Sequence, residues 1–239
     1  MPAISGPGPA TVRERYRAQV RAEVKQAALD QIAQAGPAGV SISAIGKQLG
    51  ISGPGLYRYF ASRDELLTEL VIDAYHDLAD ALTAAASPAT ASPAAVSPAA
   101  VSPGQDPRGR LEVLARAYRS WALAQPHRYR LLFGPPLPGY DAHAQRLVQA
   151  SHAAMAVLVE VLGELGDPVA PAPGPPLASQ LTAWARQHNL EADPATALLA
   201  LLVWSRLHGF VSLEIAGNYA SMAIEPDQVF EIQLATLTA

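Results

Sequence analysis

The sequence predicts an all-α fold. Apolar residues recur three or four positions apart in every long segment, and no segment alternates apolar with polar residues as a half-buried strand does. Serines stand where helices would start, and glycine or proline where they would stop.

Residues 1–11 are dominated by glycine and proline, lack periodicity and read as a disordered arm. A first helix over about Val12 to Ala35 places Val20, Val24, Ala27, Ala28 and Ile32 on one stripe and ends at Gly36-Pro37. The arginines at its start sit where they can meet phosphates.

The stretch from Val40 to Leu67 holds three helix starts. Ser41 can cap a short helix with Ile42, Ile45 and Leu49 on one face, and Gly50 supplies the left-handed residue that ends it. Ser52 can cap a second helix, with Pro54 in its first turn and Leu56 and Phe60 on its buried side. Ser62 to Glu65 matches a capping box, which opens a long helix carrying Leu67, Leu70, Val71, Ala74 and Leu78. Helix, tight turn, helix is the layout that sets a second helix into the major groove of DNA.

Ser-Pro then recurs four times between Ser87 and Pro107, and proline at that density blocks helix and strand. This gives the expected boundaries: an arm at 1–11, a helix-turn-helix domain at 12–62, a connecting helix at 63–86, a Ser/Pro/Ala-rich insertion at 87–107 and a C-terminal domain at 108–239. In that last part Leu111, Leu114, Ala115, Tyr118, Ala122 and Leu123 form a helical stripe that Pro126 ends, and HRYRLLF is a short apolar helix. Residues 133–140 read as a proline-rich loop, and 142–165 as a helix. After a second proline-rich spacer, GDPVAPAPGPP, come LASQLTAWARQHN and a helix over 194–218 that is apolar almost all round and so expected to be buried on more than one side. An amphipathic segment over 226–237 closes the chain.

The chain has 239 residues, half of them hydrophobic, which is enough for a sizeable core. It has no cysteine, which removes disulfides, thiolate metal sites and a cysteine nucleophile. The net charge of −4 opposes nucleic-acid binding until it is divided by position. Residues 1–63 hold eight basic groups against three acids, so a basic head sits on an acidic remainder. With no run of about 18 uninterrupted apolar residues and no signal-peptide core, a cytoplasmic protein without membrane insertion is expected.

The segment GISGPGLYRYFASRDELL, with VKQAALDQIAQAG before it, resembles the DNA-binding head of the TetR/AcrR family of transcriptional regulators. WALAQPHRYRLLFGPPLPGY with VWSRLHGFVSLEIAGN is similar to that family's C-terminal domain named for its Trp-His-Gly signature, here Trp204, His208 and Gly209. The resemblance implies a homodimer formed through the last helices, a double-stranded DNA operator as partner, and a pocket for a small-molecule effector, with no cofactor. It also implies that Tyr57 and Arg63 are the phosphate-binding pair.

For DNA, the candidate residues are Ser41, Ser43, Ser52, Gly53, Pro54, Gly55, Tyr57, Arg58, Tyr59 and Arg63. Tyrosine hydroxyls and arginines suit phosphate, whereas glycine offers no side chain to a base edge, so base reading is expected to be thin and to lean on DNA shape. Candidates for the effector are Trp121, Phe133, Tyr140, Met155, Trp184, Trp204 and His208, the large aromatic, sulfur or polar-tipped side chains of the apolar helices. Asp73, His76, Asp77 and Asp80 share a helix face but read as solvated acids rather than metal ligands, since one imidazole with three carboxylates lacks supporting groups. No nucleophile elbow or phosphate loop is present, so no enzyme is expected. The rival reading is a helical small-molecule-binding or catalytic protein that keeps the head only as scaffold.

Overall fold

The computed structural model describes residues 11–87, 106–134, 145–165 and 172–238. Residues 1–10 of the arm expected at 1–11, most of the Ser-Pro insertion and Tyr140 lie outside the described residues. Those that are described form helices and connecting turns without a strand, as the spacing predicts. They fall into two compact units, one holding the chain to Val71 and the other most of the chain from Ile72 onward. The division falls inside one helix, later than the boundary expected at residue 62.

In the first unit, α1 (Val12–Ala35) buries the five predicted residues, Val20, Val24, Ala27, Ala28 and Ile32. Its start is fixed by a capping box that the sequence reading missed: the Thr11 hydroxyl accepts from the Glu14 amide at 3.3 Å while the Glu14 carboxylate takes the Thr11 amide at 2.7 Å. A 3₁₀ turn (Pro37–Gly39) leads to α2 (Ile42–Gln48), capped by Ser41. Gly50, at φ +67°, makes the predicted left-handed turn.

The next helix, α3, is shorter than expected. It covers Gly53–Leu56 alone, with Ser52 as its cap, and Tyr57 to Tyr59 continue as turns. The physical reason lies in its residues. Two of the four are glycines, which favour helix least after proline, and the amides of Arg58 and Tyr59 bond the carbonyls three residues back rather than four. Gly46 lets the turn close on α2: the Ile51 amide reaches the Gly46 carbonyl at 2.8 Å, and a Cβ at Gly46 would lie 2.9 Å from the Ile51 oxygen. Helix α4 (Arg63–Ala86) follows. Ser62 accepts from the Glu65 amide at 3.0 Å, but the Glu65 carboxylate takes the amide of Ala61 rather than that of Ser62, a variant of the predicted box.

The second unit contains the rest of α4 with α5 (Pro107–Ala124), α6 (Pro126–Phe133), α7 (Gln145–Gly163), α8 (Pro175–Gln187), α9 (Pro194–Ile215), α10 (Asn218–Ser221) and α11 (Pro226–Thr238). Prolines open α5, α8 and α9, where a missing amide costs nothing. This shifts two boundaries: α8 starts inside the expected spacer, and α5 starts at Pro107 with Asp106 as its cap. On α5, Leu111, Leu114, Ala115, Tyr118 and Ala122 are buried as predicted, but Leu123 is exposed and Trp121 takes a core position.

Helix α9 corrects a second expectation. One face is buried through Ala197, Ala200, Val203, Leu207, Phe210 and Val211, whereas Leu201, Leu202 and Leu213 are exposed in the single chain. By length and composition this helix alone among the described residues could cross a membrane. Its Glu214, however, is tied within the unit. The Arg119 guanidinium of α5 donates to both Glu214 oxygens, at 2.8 and 2.6 Å, also reaches Asp227, and lies 4.8 Å from the Phe230 ring centroid. One side chain thereby fastens α5 to α9 and α11.

Replacement of Arg119 by alanine strips Glu214, whose side chain is only 10 % exposed, of its bidentate partner and is expected to lower stability by about 2 kcal/mol. A fall in the urea midpoint measures this. Arg116→Ala, which removes an ion pair to Glu231 lying in solvent, should leave that midpoint unmoved.

Candidate nucleic-acid interface and effector site

The exposed side of the head carries Ser41, Ser43 and Lys47 on or beside α2, and Ser52, Gly53, Pro54, Tyr57 and Arg58 on or beside α3. Each capping serine keeps its hydroxyl on its own helix, with Ser41 accepting from Ala44 and Ser52 from Gly55, both at 3.3 Å. Gly55 is placed differently from its neighbours. It is buried, and a Cβ there would meet Ser52 Oγ at 3.0 Å and Ile51 Cγ2 at 3.2 Å. That glycine serves packing. Leu56 and Phe60 anchor the short helix from below.

Three arginines hold this surface from behind. Arg17 Nη2 donates to the Arg58 carbonyl at 3.3 Å, and Arg21 Nη1 to the Tyr59 carbonyl. Arg21 also lies 4.3 Å above the Phe60 ring and pairs at 3.2 Å with Glu69 of α4, which Lys25 shares. These donors satisfy carbonyls that a longer helix would have bonded itself. Arg63, expected beside Tyr57 on phosphate, turns to the loop before α2: Nε donates to Val40 at 3.0 Å, and Nη2 to Pro37 at 2.8 Å and Ala38 at 3.1 Å. Its Nη1 lies 3.7 Å from Asp64. Sequence reasoning missed Arg17 and Arg21 because nothing local marks an arginine whose acceptor lies some forty residues away.

In the second unit the effector candidates separate into clusters. Trp204 stacks on His208 with centroids 5.2 Å apart, and the Tyr129 hydroxyl sits 3.1 Å from His208 Nδ1 and 2.7 Å from Ser212 Oγ. Tyr118 meets Tyr129 edge-on, and its buried hydroxyl makes no well-formed hydrogen bond, although it interacts with the Tyr129 hydroxyl. Burial pushes the phenols of Tyr118 and Tyr129 up and the imidazole of His208 down, so all three are neutral at neutral pH. The second cluster joins Trp184 of α8 to His188 at 5.5 Å, and His188 to His152 of α7 at 3.7 Å between centroids. Trp121 stands apart, donating its indole N–H to Asp77 at 2.9 Å, and that carboxylate also pairs with Arg128. Met155 is half-buried on α7, while Phe133, half-buried at the end of α6, falls in the first unit. Tyr129, Ser212, His152 and His188 were not among the candidates. The spacing of four between Trp204, His208 and Ser212, and between Trp184 and His188, was the available signal.

A groove of about 440 Å³ lies elsewhere, between α9, α10 and α11, lined by Arg206, Phe210, Leu213, Tyr219, Val229, Ile232, Gln233 and Thr236. None of the six described effector candidates borders it.

Residues 26–70, from the second half of α1 into α4, match the family model of bacterial regulatory proteins of the tetR family, and residues 111–237 match the tetracyclin repressor-like C-terminal domain. The chain belongs to the TetR family. It is a DNA-binding transcriptional regulator, and its curated relatives are regulators rather than enzymes. A relative described as an HTH-type transcriptional regulator of Mycobacterium tuberculosis is 32% identical over 95% of this chain and 94% of its own. The crystal structure of SCO4313, a protein described only as regulatory, is 41% identical with a TM-score of 0.75, covering 95% of this chain and 98% of that one. A Rhodococcus protein of unknown function shares the fold, at 21% identity and a TM-score of 0.65 over 92% of this chain and 93% of its own. The TetR-family match covers the short α3, so the helix-turn-helix assignment does not depend on the length of that helix.

Two predictions follow from these contacts. Arg63→Lys keeps the charge but offers a compact head in place of a fork spanning three carbonyls, and should lower stability by about 1–2 kcal/mol in urea titration. Burial also lowers the pKa of His152, with the neighbouring His188 acting in the same direction, and burial alone lowers that of His188. The unfolded chain therefore binds more protons just below the ordinary imidazole pKa, so stability is complete above that value and falls as pH drops through it. The urea midpoint should decrease from about pH 7.5 to about pH 5.5, and His188→Gln should shrink the decrease.

Proposed function

We propose that this TetR-family regulator works in the cytoplasm as a homodimeric repressor that a small-molecule effector releases from a near-palindromic operator. Ser41, Ser43, Tyr57, Arg58 and the outward edge of Arg63 fix the head on phosphates, while Ser52, Gly53, Pro54 and Tyr59 meet the groove, with Gly55 supporting them from the packed side. Few of these groups can form a paired hydrogen bond to a base, so sequence preference rests largely on DNA shape.

The observation that carries the effector is the cluster of neutral polar groups in which the buried Tyr118 hydroxyl, with no well-formed hydrogen bond, lies beside the Tyr129–His208–Ser212 chain and the Trp204 face. A buried hydroxyl held by no well-formed hydrogen bond keeps capacity that a bound polar group would take up. Dimerisation is supported by the exposed Leu201, Leu202 and Leu213 of α9 and Ile232 of α11, the last two bordering the open groove. Two such chains would set their α3 elements about 34–36 Å apart. Effector binding would favour a conformer with another spacing, with α4 as the continuous element between the units.

Mobility shift with genomic fragments at two salt concentrations tests the reading. Specific retardation with a steep salt dependence is expected, and addition of a compound that raises the melting temperature of the protein should release the fragment. A compound that binds the second unit yet leaves operator affinity unchanged would remove the ligand-responsive part.

A further inference from the structure

The first two turns of α1 bury no side chain, and Arg17 alone among them is tied to the rest of the head. Every residue from Thr11 to Gln19 is exposed, Val12 at 74% and Tyr16 at 64%, and burial begins only at Val20. Such an overhang is nevertheless fixed as helix, by the Thr11–Glu14 capping box and by continuity with the packed turns that follow.

Its side chains are not distributed at random around the axis. Tyr16 and Arg17 lie four and three positions before Val20, and Arg13 lies four before Arg17, so the three continue outward the stripe that Val20, Val24 and Ala27 bury further along. Where the stripe leaves the core, its residues change from valine and alanine to arginine and tyrosine. The acid in these turns, Glu14, is already engaged with the Thr11 amide and hydroxyl, a contact that holds its carboxyl below the ordinary range. Arg17 fixes the direction of the stripe, because its guanidinium bonds the carbonyl of Arg58 at the end of the recognition element.

We propose that Arg13, Tyr16 and Arg17 form a second phosphate-binding surface, which grips the duplex backbone beside the groove that α3 enters. Side chains carry this surface, and its partner is a run of phosphates flanking the operator core. Arginine supplies charge and a forked donor, and the tyrosine hydroxyl a further donor, the pattern that positions a protein without reading sequence. The inference adds a contact to the DNA-binding activity and rests on it.

Arg15 provides the control, since it stands half a turn away from Arg13 and Arg17 and points off the stripe. The probe is a duplex enriched from a random library by the wild-type chain, with binding followed by fluorescence anisotropy over a range of salt. For Arg13→Ala the slope of log affinity against log salt should become shallower by about 0.9, the contribution of one phosphate. Arg15→Ala should keep the wild-type slope. Neither side chain packs on the core, so both variants should retain the wild-type helix content and Tm. An unchanged slope for Arg13→Ala, or an equal change for both variants, would overturn the proposal while leaving DNA binding intact. Failure of the wild-type chain to enrich any duplex would overturn both.

Discussion

A recognition helix of one turn cannot hold itself. Isolated segments of that length do not form helix in water, and this one contains two glycines. Its position is therefore imposed from outside, by the Ser52 cap, the close approach of Ile51 to Gly46, the burial of Leu56 and Phe60, and two arginines of α1 that take the carbonyls of Arg58 and Tyr59. The rest of the head can be understood as scaffolding for that turn. Arg63 ties down the loop ahead of α2 in the same way, by binding backbone oxygens that no helix claims.

This use of arginine changes the meaning of the basic head. Charge counting by position gives the first 63 residues an excess of five positive charges, but Arg17, Arg21 and Arg63 are committed to the chain's own oxygens, and Lys25 with Arg21 to Glu69. The field of the head still attracts a polyanion, since those charges persist. In the proposed reading direct contact falls to the groups left exposed, among them Arg13, Tyr16, Lys47, Tyr57 and Arg58, and to the donors that Arg17 does not spend on the Arg58 carbonyl.

In the second unit the governing contrast is between apolar surface that the single chain buries and apolar surface that it leaves open. Helix α9 spends one face on the core, anchored by the Arg119–Glu214 pair, and presents leucines on the other. The polar groups it does carry inward, His208 and Ser212, are drawn together by the Tyr129 hydroxyl. Neutral hydrogen-bonding groups among aromatic rings make a surface that can satisfy a polar ligand atom without the desolvation cost of a buried charge.

What the sequence determined by itself is local: the all-α class, the stripe of α1, the serine caps, the Gly50 turn and the family motifs can all be read because each depends on spacing within a turn or two of chain. Tertiary structure decided what depends on residues brought together from far apart. It ended α3 at Leu56, turned Gly55 inward and Leu123 outward, gave α9 an open face, and joined His152 to His188 and Tyr129 to His208. Above all it decided which arginines face inward. A guanidinium is the same side chain whether it meets a phosphate or a carbonyl some forty residues distant, and only the packing of α1 against the recognition turn distinguishes the two.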